Sequence, residues 1–373
     1  MINSHRSGKT GLWQFCRFLP LTTIVVACLA TPLAAQTHGF VQIDAPGAGT
    51  LQNQGTTASV INQSGVVAGY YNDDQYAYHG FVRSAQGVIT EFDAPGLTNT
   101  QIFGINSSGE VAGYGLHDAN NHGVYPGFLR TAKGAFRGFR APDALSTFSA
   151  GMNDSGEITG TYYTLAGVYR GFVASSEGST FTYTLFAEPD ASKQEGYGTF
   201  STAINAQGVV VGYYEDATVG AFHGYTRDRA GSFTSFDAPG AGTGQAYGTI
   251  PVAINGSGEI VGYYSDSNAV LHGFFRDTQG NFTQIDPPGS TQTFASSIND
   301  QGEIVGYWAD SHQIYHGFLR QPSGNIKSFS VPVKNNGTVV LSINNTGQMT
   351  GFYYDTVAAA HGFLWQAPSP EIP

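Results

Sequence analysis

Short runs rich in Ile, Val, Tyr and Phe, such as Glu259 to Tyr264, recur along this chain, and Gly, Asn, Asp, Ser or Pro interrupts them every few residues. Runs of this length and make-up, bounded by turn formers, predict β-strands, and no stretch carries a helical period. The runs come in copies. A hydrophobic-Asn pair recurs at Ile61-Asn62, Ile105-Asn106, Met152-Asn153, Ile204-Asn205, Ile254-Asn255, Ile298-Asn299 and Ile343-Asn344, at intervals of 44 to 52 residues. Three positions after each Asn stands a glycine: Gly65, Gly109, Gly156, Gly208, Gly258, Gly302 and Gly347. Asn bonding its own backbone and Gly supplying a positive φ make this a tight hairpin turn between two strands.

A strand like Glu259 to Tyr264 follows each turn, and a polar loop then leads to His-Gly-Phe or a relative of it. The clean copies start at His79, His272, His316 and His361; His223-Gly224-Tyr225 is close, while repeats 2 and 3 keep only Gly127-Phe128 and Gly171-Phe172. The unit ends in a strand and a proline, as at Phe233 to Gly240, and the proline recurs at Pro46, Pro95, Pro142, Pro189, Pro239, Pro288 and Pro332. Proline suits the exit of an edge strand, where no ladder donor is needed.

Four short strands in about 48 residues, repeated seven times, predict an all-β, seven-bladed β-propeller of four-stranded blades. Calling the strands A to D, seven A-B-C sets are present, but the first D strand, Phe40 to Pro46, precedes the first A strand and none follows the last C strand. That offset predicts a three-plus-one closure in which the N-terminal strand completes the last blade and removes an exposed edge. A stacked β-solenoid, the main rival, needs caps at both ends instead. The domain reading is a leader at 1–35 and a single propeller domain at 36–373, with 40–46 in the last blade.

The leader has the form of a Sec signal peptide. His5, Arg6, Lys9 and Arg17 precede an apolar stretch from Phe18 to about Ala34, and Ala34-Ala35 offers a cleavage site. The alternative is a lipobox at Val25 to Cys28, which would tether the protein through an acylated Cys28. The expected location is outside the cytoplasm, extracellular or periplasmic, with no transmembrane segment in the mature chain. Both cysteines, Cys16 and Cys28, lie in the leader, so a chain cut after Ala35 forms no disulfide.

Charge narrows the partners. The whole chain has 16 Lys and Arg against 27 Asp and Glu; the leader holds three of the bases and none of the acids, so the mature balance is about −14. A surface this acidic repels phosphate backbones, which excludes nucleic acid.

The string Ile-Asn-x-x-Gly-x-Ile-Val-Gly-Tyr, a gap, then His-Gly-Phe-Leu-Arg resembles the HAF-repeat family of probable extracellular bacterial proteins, over essentially the whole mature chain. That family takes its name from His-Ala-Phe, whereas Gly80, Gly273, Gly317 and Gly362 stand in the middle here, so the resemblance is to a related subfamily. It implies export and repeat architecture and brings no agreed biochemical activity.

Sites must be argued residue by residue, because this scaffold hosts many functions. His79, His223, His272, His316 and His361 recur once per blade. That position predicts the same local hydrogen bond in every blade; a metal ring would need them all to point into the channel. An Asp opens the B–C loop at Asp73, Asp216, Asp266, Asp310 and Asp355, with His117 and Thr164 in the other two copies. Turn capping is one role for these carboxylates. The sharper one is that B–C and D–A loops share a face, so that the acids rim one channel mouth and bind a cation, a sugar or a basic partner. With them the candidate ligand-binding residues are His117, Asp118, Trp308 and His312, an exposed ring near Asp310 and His312 being suited to stack on a sugar. No cofactor or metal is expected, Ca²⁺ at these acids being the one ion considered, and the expected form is a monomer. No G-x-S-x-G, H-E-x-x-H, P-loop or Cys nucleophile is present. The reading is a ligand-binding or protein-interaction module with a glycan or protein partner; the alternatives are a structural surface protein and a loop-borne carbohydrate-active enzyme. Residues that break the repeat, His117, Asp118, His122, Glu188, Asp190 and Glu195, mark where to look.

Overall fold

The computed structural model describes residues 39–117, 123–334 and 336–366; the leader, Asp118 and His122 lie outside them. The described chain is all-β, with 28 strands in four-stranded sheets. In repeat 1 the strands are A, Gly55–Ile61; B, Val67–Asn72; C, Tyr78–Arg83; and D, Ile89–Phe92, paired antiparallel in that order. Every A strand steps its register against B, as between Ala58 and Val60, which adds local twist. The D strands are shorter than their motif. In repeat 5 the strand stops at Ile285 and in repeat 4 at Phe236, because the following Asp-x-Pro-Gly segment turns away, with Ala241 N donating to Ala238 O.

The N-terminal strand, Phe40–Ile43, pairs with Ala360–Gln366, matching Phe40 to Trp365 and Ile43 to Gly362. The last repeat thus receives its D strand from the start of the chain, the pairing on which the three-plus-one expectation rests.

Apolar clusters lie between consecutive sheets. Ala68 of repeat 1 packs with Ile102, Val111 and Phe128 of repeat 2, and Val305 of repeat 6 with Val340, Met349 and Phe363 of repeat 7. Ile43, Ala45 and Leu364 pack with Ala58, Val67 and Phe81 of repeat 1. The aromatic of each Gly-Phe pair anchors this packing; Phe81, Phe128, Phe172, Tyr225, Phe274, Phe318 and Phe363 are all fully buried. Burying such a ring stabilises by about 2–3 kcal/mol.

Two polar devices bind the repeats. The turn asparagine acts twice: Asn62 Oδ1 accepts from Ser64 N and Val66 N, while its Nδ2 donates to the carbonyl of Asn106 in the next repeat. The same inter-repeat bond runs from Asn153 to Asn205, Asn205 to Asn255, Asn255 to Asn299, Asn299 to Asn344, and from Asn344 back to Asn62. The second device is a buried threonine six residues before each Asn. Thr56, Thr100, Thr147, Thr199, Thr249 and Thr338 accept at Oγ1 from the backbone N of the residue before the repeat proline. Repeat 6 departs from this. Pro287 precedes Pro288 and has no N–H, and Thr293 Oγ1 is buried without a partner.

Candidate functional site

B–C loops and D–A connections lie at one end of the sheets, A–B and C–D turns at the other, as the antiparallel order dictates. At the B–C end the loop Asp caps its own turn. Asp73 Oδ1 accepts from Gln75 N and Ala77 N, and Asp216, Asp266, Asp310 and Asp355 do the same. The second oxygen of Asp73 faces His79 Nε2 at 3.3 Å, and on the ring's other side Asp93, just past the D strand, meets Nδ1 at 2.8 Å. The clamp recurs as Asp216–His223–Asp237, Asp266–His272–Asp286 and Asp355–His361–Asp44, and as Asp310–His316 with Ser330 on Nδ1. The outer partner stands fourteen residues after its His in repeats 1, 4, 5 and 6. That fixed spacing is the signal in the sequence that points to these outer residues, which are absent from the candidates above.

Each histidine also stacks on a strand-B aromatic: His79 on Tyr71, His223 on Tyr214, His272 on Tyr264, His361 on Tyr353, and His316 on Trp308 at 4.6 Å. The aromatic's polar atom reaches the D strand, Tyr264 to Gln284, Tyr353 to Gln42 and Trp308 Nε1 to Ser328. Trp308 is therefore joined to His316 and Ser328, whereas His312 is 81% exposed, its backbone N capping on Asp310. Repeat 6 keeps the loop Asp and the His with Ser in the outer place, and repeats 2 and 3 lose all three. Where Pro126 or Arg170 replaces the His, the loop position is His117 or Thr164 and the outer one Arg140 or Ala187. His117 itself is the exposed last residue of an otherwise largely buried strand, its N donating to Val124 O.

Burial disfavours charge on His79, but its bonds to Asp93 and Asp73 and their charges outweigh this and raise its pKa. For His223 the Asp237 bond leads, and for His361 the Asp44 bond, again raising both. The pKa of Asp73 is lowered: burial opposes this, and bonds from the Ala77 and Gln75 amides and from His79 prevail. Asp44 is lowered likewise, against burial, by His361 and Gln42. A ring that meets a carboxylate from each nitrogen donates from both only as the imidazolium. The raised histidines stabilise below their unfolded pKa near 6.5 and lose that contribution as pH rises through the folded value; the lowered acids stabilise above about pH 4 and lose theirs on acidification. Burial pushes Glu215 from 4.5 up to about 7, so its contribution is fully present only below about pH 4.5 and is lost as pH rises to about 7. Melting temperature should therefore peak at about pH 4.5 to 5.5 and fall as pH rises past neutrality, a profile read by calorimetry at constant ionic strength. In a variant with Asn at Asp93, Asp237 and Asp44 the alkaline fall should shrink; an unchanged profile would show the clamps to be electrostatically silent.

The connection from repeat 3 to repeat 4 adds acids of its own. Glu188, in the place of Ala238 of the next copy, is buried; burial raises its pKa, while its carboxylate accepts from Asp190 N and from Ser235. Asp190 and Glu195 are exposed on the same long loop. Among loop and strand-terminal residues described, the B–C and D–A end carries fifteen Asp and Glu against three bases, Arg140, Lys193 and Lys334; the opposite end carries nine against seven. The protein's excess negative charge sits at one end.

A cavity of about 200 Å³ at the A–B end is lined by five of the turn asparagines, Asn62, Asn153, Asn205, Asn255 and Asn299, and by Gln63, Asp154, Asp300 and Asn345. The B–C acids, at the other end of the sheets, are absent from this lining and face the clamp histidines. Among the described residues no group of three or more His, Cys, Asp or Glu is arranged to hold a metal ion, and no helix is long and apolar enough to cross a membrane.

No family model matches the chain, and no curated protein matches it. Solved structures do. The BP39L lectin of Burkholderia pseudomallei matches with a TM-score of 0.56 at 12% identity, over 86% of this chain and 98% of the lectin. The acylaminoacyl peptidase of Pyrococcus horikoshii matches with a TM-score of 0.54 at 10% identity, over 85% of this chain. This chain spans about half of the peptidase, 51%. At such identities the likeness is one of fold: the chain shares its all-β arrangement of four-stranded sheets with a lectin and with a portion of a peptidase.

Proposed function

We propose that this chain is an exported seven-bladed β-propeller that binds a glycan or a protein partner through its B–C and D–A loop face. Support for the ring comes from the Asn344–Asn62 bond, from the pairing of the first strand with the last, and from the apolar cluster that joins Ile43 and Leu364 to repeat 1. The Sec-type leader and the HAF-type repeat support export. A lectin of the same fold favours a binding role.

The observation that carries the reading is the clamp. In five of the seven repeats it ties the B–C loop to the residue just past the adjoining D strand, so that the connections starting there, such as 237–247, are held on a fixed frame. The loop acids of the clamps both cap their own turns and face the histidines, so the test belongs on exposed neighbours. The mature protein should bind on a glycan or peptide array. Changing Tyr76, Glu195 and His312 together to Ala should weaken binding about tenfold, or 1.4 kcal/mol, with little change in melting temperature. Full binding by that triple variant, or none by the wild type on either array, overturns the proposal.

A further inference from the structure

We infer that the B–C and D–A face docks a cationic protein segment, rich in Lys and Arg with apolar side chains between them. This rests on the binding-module reading and names the partner's chemistry. Two independent features of the same face lead there.

One is charge. The face carries fifteen acids against three bases, while the opposite end is nearly balanced. Each clamp that holds two carboxylates leaves a net negative charge even with its imidazolium formed, and in three of the four the outer carboxylate stays open to a partner: Asp93 is 53% exposed, Asp237 51% and Asp44 43%, against 26% for Asp286. Asp74, Asp190 and Glu195 stand on the same loops, exposed and outside the clamps. Such one-sided charge steers an oppositely charged partner and orients it on approach. It gains nothing from a neutral sugar and repels anionic lipid and nucleic acid.

The other is apolar. Ten large hydrophobic side chains are exposed among the described residues, and seven of them, Leu51, Tyr76, Leu165, Val219, Ile314, Val333 and Val357, sit in B–C or D–A loops. Tyr76 is held at a turn tip with φ 62°, an uncommon place for so large a side chain. Apolar tips among acids match a segment in which Leu, Ile or Val separates the basic residues: the tips supply contact area that resists dissociation, and the acids set partner and orientation.

The test uses the mature full-length chain and a synthetic peptide of alternating Lys and Leu, with poly-L-glutamate and phosphatidylglycerol vesicles as controls, read by surface plasmon resonance. The Lys/Leu peptide should bind, more weakly as salt rises, and the two anionic controls should not. The triple variant D74N/D190N/E195Q should weaken binding about tenfold, chiefly through a slower on-rate. D154N/E177Q/D300N, which removes as much charge from exposed acids at the opposite end, should leave it unchanged. Tyr76→Ser with Ile314→Ser should speed dissociation. Equal weakening by both triple variants reduces the effect to bulk charge and overturns the inference, as does preferential binding to the vesicles. Binding to a neutral glycan with no response to the peptide overturns it as well, while leaving the binding-module proposal standing.

Discussion

Gly248→Ala is expected to destabilise the protein by at least about 4 kcal/mol and to lower the melting temperature by roughly 10 °C, if the chain folds at all. Gly248 opens strand A of repeat 5 with φ 132° and pairs with Phe222 of repeat 4 by a single parallel bridge. A Cβ there would lie 1.9 Å from the Phe222 carbonyl oxygen, a backbone atom that cannot rotate away. Gly55 against Ala360 and Gly198 against Tyr169 repeat the arrangement at 2.0 Å. The methyl must either push the adjacent sheets of repeats 4 and 5 apart or twist strand A out of register, and an L-residue is strained at that φ in addition. Gly138→Ala is the control, because nothing lies within 4 Å of the added carbon and its φ is unexceptional; its melting temperature should match wild type within a degree or so. Similar losses for both variants would show that the junction is not tightly packed.

The second expected result is a difference in sign between two identical substitutions. Thr249→Val removes the acceptor of the Ala238 N–H, leaves that donor buried without a partner, and should cost about 1–3 kcal/mol. Thr293→Val removes a hydroxyl that Pro287 already leaves orphaned, and should be neutral or stabilise by up to about 1 kcal/mol. Denaturant midpoints at a common m-value decide it. Equal costs would mean that the hydroxyl matters through its shape alone.

The frame is readable in the chain because each repeat solves the same local problem. An Asn that must cap a turn, a Gly that must take a positive φ, and a Phe that must fill an inter-sheet space recur at fixed offsets, and the N-terminal D strand can be assigned to the last repeat by counting. The loop acids are legible as positions and only half legible as roles. The turn-capping oxygen of Asp73 follows from local sequence, whereas its other oxygen is committed to His79 by a contact that also needs Asp93 from a different strand. The outer acid and the threonine are equally regular, yet their roles stay hidden, because their partners lie across a sheet or a junction where sequence spacing carries no direction. Asn62 shows the same limit: its turn can be predicted, but the second bond, to the next repeat, cannot.

The N-terminal latch also orders events in time. The bond between His361 and Asp44 spans 317 residues, so the last sheet stays a three-stranded fragment with an open edge until the whole chain has been made and its first segment has returned. Phe363 and Tyr353, which the incoming Phe40 covers, are bare in the meantime, and that edge is the natural seat for a second chain's Phe40 strand to add itself instead. The closing strand is thus also the element through which two half-folded copies would exchange ends, and dilution during refolding favours each molecule capturing its own.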